Sequence, residues 1–246
     1  MNIAAIFAGG IGSRMGCPVP KQFLEIYGKP IIVHTLEKFQ YNDKVDLIYV
    51  GCKEEYISLL ESLVKKYNLN KIKVGCILEG GKSGLETIYK ILEKIYSEHS
   101  DSYVLIHDGV RPNITENVID ENIDMAHKYG NAITVVPNFE TPIICENGQT
   151  IDKTLNRNII YTAKAPQTFK VKEIFEAYKK VYKKYKTFEI DGIVDSCSIA
   201  LSVGMKLNIV EGNRDNIKVT TESDYIEILG RLVFDDYFKF FSMKNK

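Results

Sequence analysis

Short, continuous apolar runs separated by longer amphipathic stretches dominate this chain, and that alternation leaves few ways to fold it. A run that is apolar at every position must be buried on both faces, which is the condition of a strand in a parallel sheet covered by crossover helices. The candidate strands are Ile3–Ala8, Asp46–Val50, Ile72–Leu78, Tyr103–His107 and Ala132–Val136. Helical patterns lie between them at Pro30–Phe39, Glu54–Tyr67, Ser83–Tyr96 and Thr115–Lys128. In the second of these, Ile57, Leu60, Leu63 and Val64 recur at helical spacing, which makes one face for packing. A helix at Val171–Lys186, another around Asp195–Val203, a strand at Lys206–Val210 and a helix from Glu222 to about Leu232 continue the pattern.

After Pro137 the rhythm breaks. Residues 138–162 hold turn signals, including Glu146-Asn147-Gly148, between short β-prone pieces such as Pro142–Cys145 and Ile159–Tyr161. This segment is expected to leave the sheet as a hairpin arm within a single domain spanning 1–246. The aromatic and charged tail, FDDYFKFFSMKNK, is expected either to dock on a neighbour or to fray.

Composition narrows the partners. Lys plus Arg and Asp plus Glu both number 32, so no net field draws the chain to nucleic acid or to an anionic membrane, and any anion site must come from local clustering. Five scattered cysteines without a CxxC pair suggest neither a disulfide framework nor a zinc site. The apolar start is too short for a signal-peptide core, and no run approaches the roughly 20 apolar residues that span a bilayer, so a cytoplasmic protein is expected.

The first strand runs into AGGIGSRMGCPVPKQF, residues 8–23. Its glycines, Gly9, Gly10, Gly12 and Gly16, allow backbone N–H groups to approach an anion closely, and Arg14 and Lys21 add fixed positive charge suited to a triphosphate. A dinucleotide fingerprint does not fit, because the glycine after Gly10 and Gly12 falls at 16 and Pro18 and Pro20 block the helix that should start there. A Walker P-loop does not fit either, since no Gly-Lys-Ser/Thr closes the loop.

The order AGGIGSRM, PKQF, HDGVRP, APQTF and DNIKVTTESD resembles the nucleotidyltransferases that activate sugars, and within them the cytidylyltransferases acting on methylerythritol phosphate or ribitol 5-phosphate. The resemblance implies a three-layer α/β/α fold with a mainly parallel sheet, a protruding β-arm exchanged between subunits, a homodimer, and magnesium as cofactor. It also implies transfer of CMP from CTP to a polyol phosphate. On it, Arg14, Lys21 and Lys218 are the expected catalytic cations. Ala8, Gly9, Gly10, Gly12, Gly81, Thr87 and Asp108 are the expected nucleotide contacts. Asp108, Arg111, Thr141, Arg157 and Lys218 are the expected acceptor contacts, with Thr141 and Arg157 reaching the neighbouring subunit's substrate.

Asp108 and Arg111 follow an apolar strand, at the edge where open α/β sheets bind ligands. Two roles stand open for Asp108, accepting a polyol hydroxyl or joining a magnesium shell, and Arg111 either orients it or binds substrate. His107 reads as a packed turn residue rather than a base, and Asp224 as a cap of the final helix rather than a metal ligand. Gly84 and Ala165 depart from the family pattern, which has Arg and Thr there, while Thr87 keeps a hydroxyl. His34-Thr35-Leu36-Glu37-Lys38-Phe39 and Val110 favour the ribitol phosphate branch, whereas the spacing between Met15 and Pro20 favours the methylerythritol phosphate branch. The expected function is a CTP-dependent cytidylyltransferase for a ribitol-like acceptor, with the methylerythritol phosphate enzyme and a non-catalytic nucleotide-binding scaffold as the other readings.

Overall fold

In the computed structural model, which describes residues 1–10 and 19–232, the alternation resolves into one seven-stranded sheet with helices on both sides. The elements run β1 Asn2–Ala8, β2 Glu25–Ile26, β3 Lys29–Pro30, α1 Ile31–Gln40, β4 Leu47–Cys52, α2 Ile57–Lys66, β5 Ile77–Glu79, α3 Gly84–His99 and β6 Tyr103–Asp108. Then follow α4 Glu116–Tyr129, β7 Asn131–Pro137, β8 Ile143–Ile144, β9 Lys153–Thr154, β10 Tyr161–Lys170, α5 Val171–Tyr185, α6 Ser196–Ser202 and β11 Ile209–Glu211. A helix over 222–232, α7, ends the described chain.

The sheet order is β11-β7-β10-β6-β1-β4-β5. All pairs are parallel except those of β10, which runs antiparallel to β6 and to β7. From β1 the chain builds outward through β4 and β5 and then returns to place β6 on the other side of β1. The point where the order reverses is therefore the β1/β6 boundary, and the crevice beyond the carboxyl ends of those strands is the natural ligand position.

The central strands are buried as the apolar runs require: Ile3, Ala4, Ala5 and Ile6 of β1, Ile48 and Val50 of β4, and Val104 and Leu105 of β6 are fully enclosed. On one side α3 and α5 meet through stacked aromatic rings, with Tyr89 between Phe175, Tyr178 and Tyr182. The end of α1 is tied to α4 by Asn42, which donates to Asp120 at 2.7 Å.

Three expectations are corrected. The expected strand Ile72–Leu78 shrinks to β5, because Gly75 turns with φ +83, and outside β5 this stretch meets β4 through the carbonyls of Lys71, before the turn, and Cys76, after it. The expected helix Glu54–Tyr67 opens as a single 3-10 turn at Glu54–Tyr56 before α2 begins. The strand expected at Lys206–Val210 is only Ile209–Glu211.

One element escaped the sequence reading altogether. The ten residues of β10 contain Pro166, which cannot donate to a ladder and argues against a central strand. The chain accommodates it by a register shift between Ala163 and Gln167. The Pro166 carbonyl, displaced from the ladder, accepts the Thr134 hydroxyl at 2.6 Å, and Asn122 of α4 donates to that hydroxyl at 2.9 Å.

In the segment after β7, where an arm was expected, β8 and β9 pair with each other in a separate two-stranded sheet. Its turn is built by Asn147, whose side-chain oxygen accepts the N–H groups of Gln149 and Thr150, and by Gly148 with φ +69. Phe139 and Ile159 lie 56% and 72% exposed on it. The tail beyond 232, and with it the expected docking or fraying, lies outside the described residues.

Candidate active site

β6 ends in His107-Asp108 and the chain turns sharply at Gly109, whose N–H donates to the Phe7 carbonyl at 3.0 Å. A Cβ at Gly109 would stand 3.1 Å from that of Ala8, so a side chain there would push the turn off the end of β1. The turn folds Arg111 back on the strand end. Its Nε donates to Asp108 Oδ2 at 2.8 Å, and its Nη1 to the Asn216 carbonyl at 2.9 Å. The other carboxylate oxygen, Oδ1, faces the Lys218 ammonium in an ion pair. Asn216 in turn donates to the Ala165 carbonyl at 3.2 Å, and Val219 N–H to the Val110 carbonyl at 3.0 Å. The segment 216–219 is thus stitched between the β6 turn and β10, and this places Lys218 over Asp108.

The charges are unequal in exposure: 8% of the Asp108 side chain is accessible, against 41% of Lys218. Burial pushes the Asp108 carboxyl up, but Lys218 and Arg111 outweigh it and hold its pKa at about 2, so it is an anion at any working pH. His107 beside it is fully enclosed, edge-on to the Phe39 ring at 5.1 Å, and burial lowers its pKa to about 4. It is a neutral packed residue, as expected, and its Nε2 lies 3.2 Å from the Arg111 carbonyl.

Beyond these strand ends lies a cavity of about 440 Å³. Asp108, Arg111 and Lys218 line it with Phe7, with Gly84 at the start of α3, and with Lys164 and Ala165 of β10. Lys218 also lies 5.6 Å from the centre of the Phe7 ring, at the point where β1 delivers the chain to the glycine turn. Gly84 and Ala165, the two departures from the family pattern, therefore border the same space as the charged triad.

Of the glycine-rich segment, Ala8, Gly9 and Gly10 are among the described residues. Ala8 presents its carbonyl to Gln22 at 2.7 Å, and Gly10 has open space where a Cβ would stand. A Cβ on Gly9 would come within 2.9 Å of the Thr87 hydroxyl, so glycine is needed here for packing. Gly12 and Arg14 lie outside the described residues. Lys21 sits in a 3-10 turn at Lys21–Phe23, close enough for its charge to help lower the Asp224 carboxyl.

Thr87 and Gly81, two of the expected nucleotide contacts, are bonded to each other in the turn before α3. Thr87 is 0% exposed, and its hydroxyl donates to the Ser83 carbonyl at 2.9 Å while accepting the Gly81 N–H at 3.0 Å. These bonds fold the turn before α3. A Thr87→Val protein is accordingly expected to lose about 1–3 kcal/mol of stability in denaturant titration, because the Gly81 N–H is left unpaired.

Asp224 is placed as expected: its carboxylate accepts the N–H groups of Thr220 and Thr221 at 2.8 and 2.7 Å, while Thr221 accepts the Asp224 N–H at 3.3 Å. That is a reciprocal cap of α7. Thr141 and Arg157 are exposed and do not line the cavity of their own chain; Arg157 Nη1 donates to the Phe139 carbonyl at 3.2 Å.

Sequence reasoning missed Lys164, Gln167 and Asp195 as cavity residues. Gln167 donates to the Asp195 carboxylate at 2.7 Å and accepts the Cys197 N–H at 2.8 Å, which pins the start of α6 to β10. The signal was there in the polar residues of 161–170, but Pro166 concealed that they form a strand.

Among the described residues no group of three or more His, Cys, Asp or Glu side chains could cage a metal. The cavity offers Asp108, which suits a magnesium ion held chiefly by substrate phosphates and bound water with one protein carboxylate. The residues fit the group in that mode alone.

Comparison with known proteins gives a consistent result. The profile described as IspD, 2-C-methyl-D-erythritol 4-phosphate cytidylyltransferase, matches residues 2–229. The chain is 40% identical over 227 residues to a ribitol-5-phosphate cytidylyltransferase of Vibrio parahaemolyticus serotype O3:K6, covering 92% of this chain and 93% of that one. It is 40% identical over 230 residues to the enzyme of that name from Streptococcus agalactiae serotype V, covering 92% of each. Among solved structures, 4-diphosphocytidyl-2C-methyl-D-erythritol synthase from Anaerococcus prevotii superposes with a TM-score of 0.80 at 25% identity, covering 94% of this chain and 96% of that one. The Francisella tularensis 2-C-methyl-D-erythritol 4-phosphate cytidylyltransferase does so at 0.76 and 27%, covering 95% and 98%.

Proposed function

The chain belongs to the IspD family of cytidylyltransferases, and from that premise we propose that it transfers CMP from CTP to ribitol 5-phosphate, giving CDP-ribitol and pyrophosphate. The observation that carries the choice of acceptor is the 40% identity, over nearly the whole chain, to relatives named for ribitol 5-phosphate, against 25% and 27% to the solved methylerythritol phosphate enzymes.

The chemistry follows from charge. A phosphate monoester has a second pKa of about 6, so the acceptor's phosphate oxygen is already ionised at neutral pH and needs no base. It forms a bond to the α-phosphorus of CTP as the bond from that phosphorus to the bridging oxygen of pyrophosphate breaks. What the protein must supply is neutralisation and alignment of two anions that repel each other. Lys218, anchored by Asp108 at the end of β6 and lying beside Phe7 of β1, is assigned to the α-phosphate. Lys21, with Arg14, is assigned to the triphosphate. Asp108 holds Lys218 and Arg111 in place and is the residue that would share magnesium with the phosphates; the ion would supply further neutralisation of the triphosphate.

Exposed apolar residues on the arm, Phe139, Ile143, Ile151 and Ile159, support a homodimer formed through it, with Thr141 and Arg157 reaching the partner's acceptor. Among the described residues no helix is long and apolar enough to cross a membrane. Consumption of CTP supports a cytoplasmic reaction, with the CDP-polyol serving as an activated unit for a cell-surface glycan.

The test is pyrophosphate release from CTP and magnesium with ribitol 5-phosphate and methylerythritol 4-phosphate in parallel. Release with ribitol 5-phosphate alone is expected. Release with methylerythritol phosphate alone would reassign the acceptor, and CTP binding without release on either would leave a nucleotide-binding scaffold.

A further inference from the structure

The cavity holds a cation that this mechanism leaves unused. Lys164 lies in β10, within the register shift between Ala163 and Gln167, and lines the cavity with Arg111 and Lys218. Arg111 and Lys218 both spend their charge on Asp108. Lys164 makes no ion pair among the described residues; its Nζ donates to a backbone carbonyl, that of Arg214, at 3.1 Å. Half-buried beside like charges, it has its pKa lowered by burial and then by Arg111 and Arg214. Cations gathered without an equal number of carboxylates raise the affinity of a concave site for an anion.

The sheet order says which anion. The glycine-rich segment assigned to the triphosphate follows β1 in sequence, and β10 lies on the far side of β6 from β1, about 10 Å away at the usual strand spacing. On that side, Arg214 lies over the Phe139 ring at 4.9 Å, at the root of the arm, and Arg157 donates to the Phe139 carbonyl. The acceptor must come to the α-phosphorus from the side opposite the leaving pyrophosphate. β10 borders β6 on the side away from β1.

We propose that Lys164 is a further substrate-binding residue that holds the phosphate dianion of the acceptor, and so raises its local concentration beside Lys218. This deepens the reading of the site as a polyol phosphate cytidylyltransferase and rests on it.

Steady-state kinetics on Lys164→Gln and Lys164→Arg test it. Glutamine retains a donor for the Arg214 carbonyl, so a role confined to that tether would survive the change. The loss of a charged hydrogen bond to a dianion is expected to raise the KM for ribitol 5-phosphate about 10- to 100-fold, with the KM for CTP within twofold of wild type. Arginine should recover most of the acceptor affinity, and added salt should weaken acceptor binding less in the glutamine variant than in wild type. An unchanged acceptor KM in Lys164→Gln, or an equal rise in both KM values, overturns the proposal. Should the wild-type protein release no pyrophosphate with either acceptor, the activity reading fails separately. The site is then judged by titrating inorganic phosphate into protein saturated with CTP: weaker binding by Lys164→Gln sustains it, and equal binding removes it.

Discussion

Replacing Asp108 by asparagine is expected to lower turnover at least 100-fold and to cost roughly 3 kcal/mol of stability, toward the low end of what breaking a buried ion pair costs. The carboxylate lies between two cations that depend on it differently. Arg111 is 14% exposed, and its Nε is directed at Oδ2, so an amide leaves its charge enclosed with only the Asn216 carbonyl as compensation. Lys218 is more open and swings to water, which limits the stability loss but takes the ammonium away from the end of β1. CTP affinity should fall much less than turnover, since the glycine turn is untouched.

The pH dependence of stability is a second readout of the same change. Asp108 has its folded pKa depressed from 3.8 to about 2, so its stabilisation is complete above the unfolded value and is lost as pH falls from about 4 toward 2. His107, depressed from 6.5 to about 4, also contributes above its unfolded value, and that contribution is lost between those pH values. Acid unfolding of the wild-type protein therefore has an earlier part from His107 and a later one from Asp108. In Asp108→Asn the later part should be missing. A melting temperature that falls equally with pH in the two proteins between 4 and 2 would show that the pair contributes nothing to folding.

How much of this was readable beforehand depends on whether an element's role was written in local pattern or in long-range contact. β1, β4, β6 and β7 were visible because full burial on both faces demands unbroken apolar runs, and the position of Asp108 at a strand's end followed directly. The cap at Asp224 was visible for the same reason, since it is made within four residues. The backbone bonds of Thr87 were not legible because its partners, the Gly81 N–H and the Ser83 carbonyl, are made available by how the turn closes, and a hydroxyl in a glycine-rich segment gives the same signal whether it faces a ligand or the backbone. β10 was invisible because its partners lie far along the chain: the Pro166 carbonyl is met by Thr134, which Asn122 supports, and Lys164 lies within a register shift that only the pairing with β7 reveals. The segment 216–219 is the intermediate case. Lys218 was singled out by its motif, but its meaning comes from Asn216, which ties it to both Arg111 and Ala165.

Lys218→Gln is expected to lower kcat by about 100- to 1,000-fold, the range found when a preorganised donor to developing charge is removed. Two explanations of such a loss are separable. If Lys218 served only to neutralise Asp108, a carboxylate that is left with Arg111 alone would be the damage, and removing that carboxylate as well would repair it. The double variant Asp108→Asn/Lys218→Gln would then recover toward wild type. If the ammonium instead meets the charge that builds on the α-phosphate as the bond to pyrophosphate breaks, nothing in the double variant replaces it. Turnover should then be no better than in Lys218→Gln, although stability should exceed that of Asp108→Asn because one fewer cation faces Arg111. Residues that act as a unit give sub-additive losses, so the double variant is expected near the poorer single one rather than at the product of the two. Recovery of more than tenfold in kcat on adding Asp108→Asn to Lys218→Gln would move Lys218 from the reaction to the scaffold. It would leave Lys21, with Arg14, to carry the transition-state charge.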